Sequence, residues 1–184
     1  MFVSELLGKK VLLAMDSSEG AELAARAAVD VAESTGSALH MVYVEPLAEF
    51  IKNGDGAPGY DHQLYNMIEA EGQETLRKLV WRVKVAGGTV ADAHLRTGAV
   101  AEEIVALADQ LEVGLIVVGS RGLRGIRRAL AGSVSESVFR HAHCPAMVVR
   151  ARDNPPSQRG GRPRVRRVLS RTWDRRATLW RGGE

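Results

Sequence analysis
The chain is expected to fold as an open α/β domain, a Rossmann-like parallel sheet of five strands with helices on both faces. Three observations lead there. Apolar strand-like runs alternate with helix-patterned segments in the order β-α-β-α-β-α-β-α-β. The runs Val11 to Met15 and Leu115 to Val118 are continuously apolar rather than alternating, as strands covered on both faces must be. A hydrophobic content of 45% in 184 residues is enough to fill one core of this kind, with a terminal extension left over.

The elements follow in order. The first strand, Val11 to Met15, stops at Asp16, and Ser17, Ser18 and Gly20 make a turn. Ala21 to Ser34 is an alanine-rich helix with Leu23, Ala27 and Val31 inward, ended by Gly36. Ala38 to Val44 is the second strand, and an irregular loop runs from Glu45 to about Tyr60, a length associated with functional segments. A long helix spans about Asp61 to Ala86, with Leu64, Ile68, Leu76, Leu79 and Val83 inward and Gly87-Gly88 as its breaker. Thr89 to Arg96 alternates like a more exposed strand. After Thr97-Gly98 a helix runs from about Ala99 to Leu111. Val100, Ile104, Leu107 and Leu111 form its inner face, and Glu102 and Glu103 suit its positive end. Leu115 to Val118 is the fourth strand. The last helix opens at Ser133, where Ser133-x-x-Glu136 is a capping-box pattern, and turns Val134, Val138 and Ala142 to one side. Pro145 follows it, and Ala146 to Val149 closes the sheet.

A single cysteine, Cys144, rules out an internal disulfide framework and points to a reducing compartment. The opening residues carry no basic start followed by a long apolar core, and no apolar run approaches the ~20 residues of a membrane span. The expected location is the cytoplasm. Charge divides unevenly. Residues 151–184 hold ten arginines against Asp153, Asp174 and Glu184, a surplus of seven, so a net charge of +3 leaves residues 1–150 at −4. Asn154 to Pro163 is linker-like. Val165, Leu169, Trp173, Ala177 and Trp180 then recur at helical spacing between arginines, which makes residues 151–184 a basic, amphipathic extension of a domain covering 1–150. Such a tail suits an anionic partner: a membrane, a nucleic acid or an acidic protein surface. The plainer reading is a tail that folds back on the acidic body or stays solvated.

In parallel sheets ligands sit beyond the carboxyl ends of the strands, at the switch point of strand order. Asp16, Val44 and Gly119 all fall at such ends. The stretch from Gly119 to Ser135 has the ingredients of an anion site. A helix start offers unpaired N–H groups and a partial positive charge. Glycines at 119, 122 and 132 allow close backbone approach, and Arg121, Arg124, Arg127 and Arg128 add donors for phosphate oxygens. Against this stands the plain alternative of glycines in tight turns and solvated arginines. Two common nucleotide motifs are missing: no GxxxxGK[ST] occurs, and the first turn, Asp16 to Gly20, lacks GxGxxG.

The spacing Gly119-x2-Gly122-x9-Gly132-Ser133, with LLAMDSSEGAELAARAA at residues 12–28, resembles the universal stress protein family in its ATP-binding branch, over roughly residues 8–150. The resemblance implies strand order 3-2-1-4-5 and a site for ATP or AMP, with Mg2+ held by the phosphates. It also implies a nucleotide-dependent stress-response or signalling module. Asp16 would lie near the ribose or a phosphate-bound metal, and the Val44 backbone would read the adenine edge. Val118 and Gly119 would flank the ribose, with Arg121 and Gly122 in the phosphate loop. Gly132, Ser133, Val134 and Ser135 would form the helix start that holds the phosphates. Many relatives carry proline where this chain has Ala14, whose backbone can still line the adenine pocket. Relatives commonly pair through the last strand, so a homodimer is expected there.

Catalysis finds little support. Apart from Asp16 no general base stands beside the loop, so holding a nucleotide fits better than cleaving it, with slow ATP hydrolysis at most. Ser133 and Asp16 could each serve merely as helix caps. His141, His143 and Cys144 are metal-ligand types without a second cluster to complete a site, so no metal site is expected. His40 and His94 fall within strands and His62 near a helix start, and none has an obvious catalytic partner.

Overall fold
A computed structural model describes residues 8–46, 62–120, 133–150 and 168–169. Six strands and four helices are seen among them. In chain order they are β1 (Val11–Ala14), α1 (Glu19–Thr35), β2 (Leu39–Glu45), α2 (His62–Val85), β3 (Asp92–Thr97), α3 (Val100–Leu111), β4 (Leu115–Gly119), α4 (Ser133–His141), β5 (Ala146–Val149) and β6 (Val168–Leu169). The sheet order is β3-β2-β1-β4-β5-β6. The first five strands are parallel, so the expected 3-2-1-4-5 arrangement is present, and β6 is added antiparallel at the outer edge of β5. No described helix is long and apolar enough to cross a membrane.

Alternate residues of the central strands feed two separate cores, because successive side chains on a strand point to opposite faces. Val11, Leu13, Leu115 and Val117 pack under α1 and α2. Leu12, Val42, Ile116 and Val118 pack under α3 and α4 with Ile104, Leu107 and Val138. β1 is buried along almost its whole length, and β3, at the edge, is only half-buried.

α1 turns its expected inner face to the core, but that face is wider than Leu23, Ala27 and Val31. The buried residues are chiefly alanines (Ala21, Ala24, Ala25, Ala27, Ala28 and Ala32), whereas Leu23 and Val31 sit at the margin. Small side chains let the helix lie close on the sheet, over β1, β4 and β5, and larger ones fill the flanks. Gly36 ends the helix in the left-handed region at φ 63, and the N–H groups of Gly36 and Ser37 return to carbonyls of the last turn. In α2 Leu76, Leu79 and Val83 are buried as expected and Ile68 is half-buried, while the Leu64 side chain lies outside the described residues.

On α4 the Glu136 side chain is half exposed. Its carboxylate accepts a hydrogen bond from Arg140 at 2.7 Å, the (i, i+4) partner that a solvent-facing glutamate on a helix reaches most readily. Ser133 itself is the first residue of α4. One expectation is corrected, in the tail. Leu169 is not helical: Val168 and Leu169 pair with Met147 and Ala146. The edge of β5 presents unpaired N–H and C=O groups, and pairing with a β-favouring Val-Leu step satisfies them, which overrides helical periodicity there. The rest of the tail, and most of the loop between Glu45 and Tyr60, lie outside the described residues.

Candidate functional site
Register brings the residues at the carboxyl ends of the strands side by side. Ala14 of β1 lies between Val42 of β2 and Val118 of β4, so the chain runs on from Ala14 to Asp16 at the point where strand order reverses. Val44, two residues beyond Val42, is buried under the α3 face, and Gly119 ends β4 beside Val149. The N–H of Met15 donates to the Val42 carbonyl at 3.1 Å, that of Gly98 to Glu45 at 3.0 Å, and that of Ser120 to Val149 at 2.7 Å. These bonds close the carboxyl rim just past the ladder.

Asp16 is held in an Asx turn. Its Oδ1 accepts the backbone N–H of Ser18 at 3.0 Å and the Ser18 hydroxyl as well. Ser18 is the N-cap residue of α1 and makes no side-chain cap bond of its own. The aspartate therefore shapes the entry to α1 while remaining half-exposed at the rim. On β2 the Tyr43 hydroxyl donates to Glu45 Oε2 at 2.9 Å. Burial first, and then the glutamate, push its pKa up to about 12, so the phenol stays a neutral donor. Sequence reasoning missed Tyr43 and Glu45; their alternation with buried residues on a strand end was the available signal.

At the start of α4, Ser133 is exposed, Val134 is half-buried and Ser135 is 2% exposed. Val134 and Val138 anchor the helix on the α3-side core, together with Ala142. The rim thus gathers Ala14, Asp16, Val44, Val118 and Gly119 at strand ends, and the serines of a helix start follow β4 in the chain. Arg121, Gly122 and Gly132 lie outside the described residues. What is assembled is a rim of strand ends that carries the carboxylates of Asp16 and Glu45; no histidine or cysteine is among these rim residues.

The other singled-out side chains lie away from this rim. The Nδ1 of His141 lies 2.8 Å from the Ser137 carbonyl, and His143 comes within 4.0 Å of Asp109. Cys144 packs on the α3-side core, and burial, with Asp109 nearby, pushes its thiol up to about 11. His40 and His94, for which the sequence offered no obvious catalytic partner, face one another. His40 Nδ1 and His94 Nε2 are 3.2 Å apart across neighbouring strands.

Strand order and register define a doubly wound α/β domain of the kind that takes ligands at its switch point. Comparison with known proteins narrows this. The model of the universal stress protein family matches residues 8–150, and the chain belongs to that family. It is 34% identical over 146 residues to universal stress protein MJ0531 of Methanocaldococcus jannaschii, covering 79% of this chain and 84% of the relative. Among solved structures it is similar to universal stress protein UspA from Lactobacillus plantarum, with a TM-score of 0.62 and 25% identity over 77% of this chain and 97% of that one. It is also similar to the universal stress protein from Archaeoglobus fulgidus in complex with dAMP, with a TM-score of 0.54 and 26% identity over 77% and 98% of the two chains.

Proposed function
We propose that the chain binds ATP or AMP at the carboxyl ends of β1, β2 and β4, and works as a nucleotide-dependent stress-response or signalling module rather than as an enzyme. What supports this reading is the placement of Asp16, in its Asx turn, and of the Val118-Gly119 strand end at the switch point, with the helix start at Ser133 as the next described element along the chain. The dAMP complex of the Archaeoglobus relative supports adenine as the base. In this reading the backbone of Ala14 and Val44 lines the adenine and Val118 and Gly119 flank the ribose. Arg121, Gly122, Gly132, Ser133, Val134 and Ser135 hold the phosphates. Asp16 stands near the ribose or near Mg2+ carried by the phosphates. A helix start stabilises bound charge, and since the arrangement fits holding a nucleotide better than cleaving it, hydrolysis would be slow at most. Calorimetry with ATP and AMP on the purified protein tests this: saturable binding of at least one is expected, and failure of both at millimolar concentration overturns it.

The remaining parts of the proposal concern location and assembly. A cytoplasmic module of residues 1–150, with the basic extension 151–184, would pair with a second copy through β5. The chain's own β6 lies on that edge at Ala146 and Met147, so tail and partner copy compete for the same backbone groups. Sedimentation of the chain with and without residues 154–184 tests the competition. More dimer in the truncated form is expected, and an unchanged monomer removes the β5 contact. The tail's surplus of positive charge leaves an adaptor role toward an anionic partner as the second reading. Loss of liposome or DNA association on truncation, with nucleotide binding kept, would favour it.

A further inference from the structure
The opposite end of the sheet carries a group of side chains that the nucleotide reading does not use. His40 stands at the amino end of β2, directly abreast of Asp92 on β3, and His94 follows two residues along β3 on the same face. Two residues on one face of a strand and one on its neighbour put three side chains over a single patch. His40 is 9% exposed, His94 has 19% of its side chain exposed, and Asp92 opens to solvent at 61%. His40 Nδ1 and His94 Nε2 lie 3.2 Å apart, with the two rings within 9° of parallel. His94 Nε2 is 3.6 Å from Asp92 Oδ2. The other oxygen, Oδ1, accepts the Ala93 N–H at 2.8 Å, which fixes the carboxylate so that Oδ2 is presented to the imidazoles. One ligand atom from each of the three residues lies within 4.8 Å of the other two.

We infer that His40, Asp92 and His94 form a binding site for a divalent transition metal of the zinc type, separate from the nucleotide site. Two imidazole nitrogens bound to one zinc at about 2.0–2.1 Å in tetrahedral geometry stand roughly 3.3 Å from each other, close to the separation already present. Two imidazoles and a carboxylate are a ligand set that zinc accepts, with the fourth position open to water on the exposed side. Without an ion, one of the facing nitrogens must carry a hydrogen and the other must not. With an ion, each ring keeps its hydrogen on the far nitrogen and turns its near lone pair away from the other ring toward the metal, since centroids 5.5 Å apart set the two nitrogens face to face. Lys10, whose charge reaches His40, is tied by its ammonium to the Leu111 carbonyl at 3.1 Å. The site lies about 13 Å along β2 from Val44, given the ~3.3 Å rise per strand residue. Nucleotide and metal would therefore occupy opposite ends of the same strands.

The experiment is a zinc titration of the chelator-stripped, full-length chain in competition with a chromogenic chelator, repeated with cobalt(II) to read coordination from its visible absorption. One zinc per chain is expected at this site, with a tetrahedral cobalt spectrum. His94→Ala should abolish it and Asp92→Ala should weaken it by at least roughly tenfold. A double His141→Ala, His143→Ala variant should bind like the parent. Zinc should raise the Tm of the parent and leave that of His94→Ala unmoved. Asp92 is largely exposed, so its variant decides the matter even if His94→Ala folds poorly. Equal zinc affinity in the parent and in Asp92→Ala, or loss that follows His141 and His143 instead, overturns the proposal and leaves a hydrogen-bonded histidine pair.

Discussion
The two ends of the central sheet are built in different ways. At the carboxyl end the functional candidates are mostly backbone: strand ends, an Asx turn at Asp16 and a helix start at Ser133. At the amino end the groups are side chains, His40, Asp92 and His94, set abreast by the pairing of β2 with β3. Backbone sites accept a ligand by shape and dipole, and they leave signatures in short stretches of sequence. Side-chain sites across strands depend on register between segments far apart in the chain, here 54 residues for the two histidines.

The contrast can be broken most severely where the ends share a support. Leu12 is fully buried in β1, the strand that joins β2 to β4. Leu12→Ala should cost about 2–5 kcal/mol, read by urea denaturation, and should weaken ligand binding at both ends together. Loss at one end alone would show that the ends do not share this core. Asp16→Ala is smaller and local. Removing the Asx turn should cost about 1 kcal/mol of stability and weaken nucleotide binding, with zinc binding unchanged; equal nucleotide affinity would make Asp16 a turn residue only.

Cys144 gives the smallest effect and concerns neither end. Burial, with Asp109 nearby, pushes its thiol up to about 11 in the folded chain. The folded state therefore holds the proton more tightly. The stability this contributes is complete below pH 9 and is lost as pH rises toward 11. Near pH 8 its thiolate fraction, and hence its alkylation rate, should be about a hundredfold below that of the unfolded chain. Rapid alkylation of the native protein at that pH would contradict the packing role.

Much of the fold was legible because its signals are local. Strands buried on both faces announce themselves by unbroken apolar runs, and β5 begins and ends at the residues expected, Ala146 and Val149. The inner face of α1 was marked correctly at Ala27 but incompletely: Leu23 and Val31 pack at its margin, and a close helix-to-sheet approach buries the remaining alanines between them. The strand at Val168-Leu169 was hidden because a free sheet edge, not the tail's own periodicity, decides its conformation. Asp16, Val44 and Gly119 could be marked at strand ends from sequence alone. The pairing of His40 with His94 could not, since nothing in either strand states its register with the other.

The central claim is that adenine nucleotide enters at the carboxyl end and leaves the amino end untouched. Backbone amide NMR during a titration with ATP tests it directly. Shifts should concentrate at Asp16 to Ser18, Val44, Gly119-Ser120 and Ser133 to Ser135, with His40, Asp92 and His94 silent. Shifts centred on the histidine end, or none at millimolar ATP, would contradict the account.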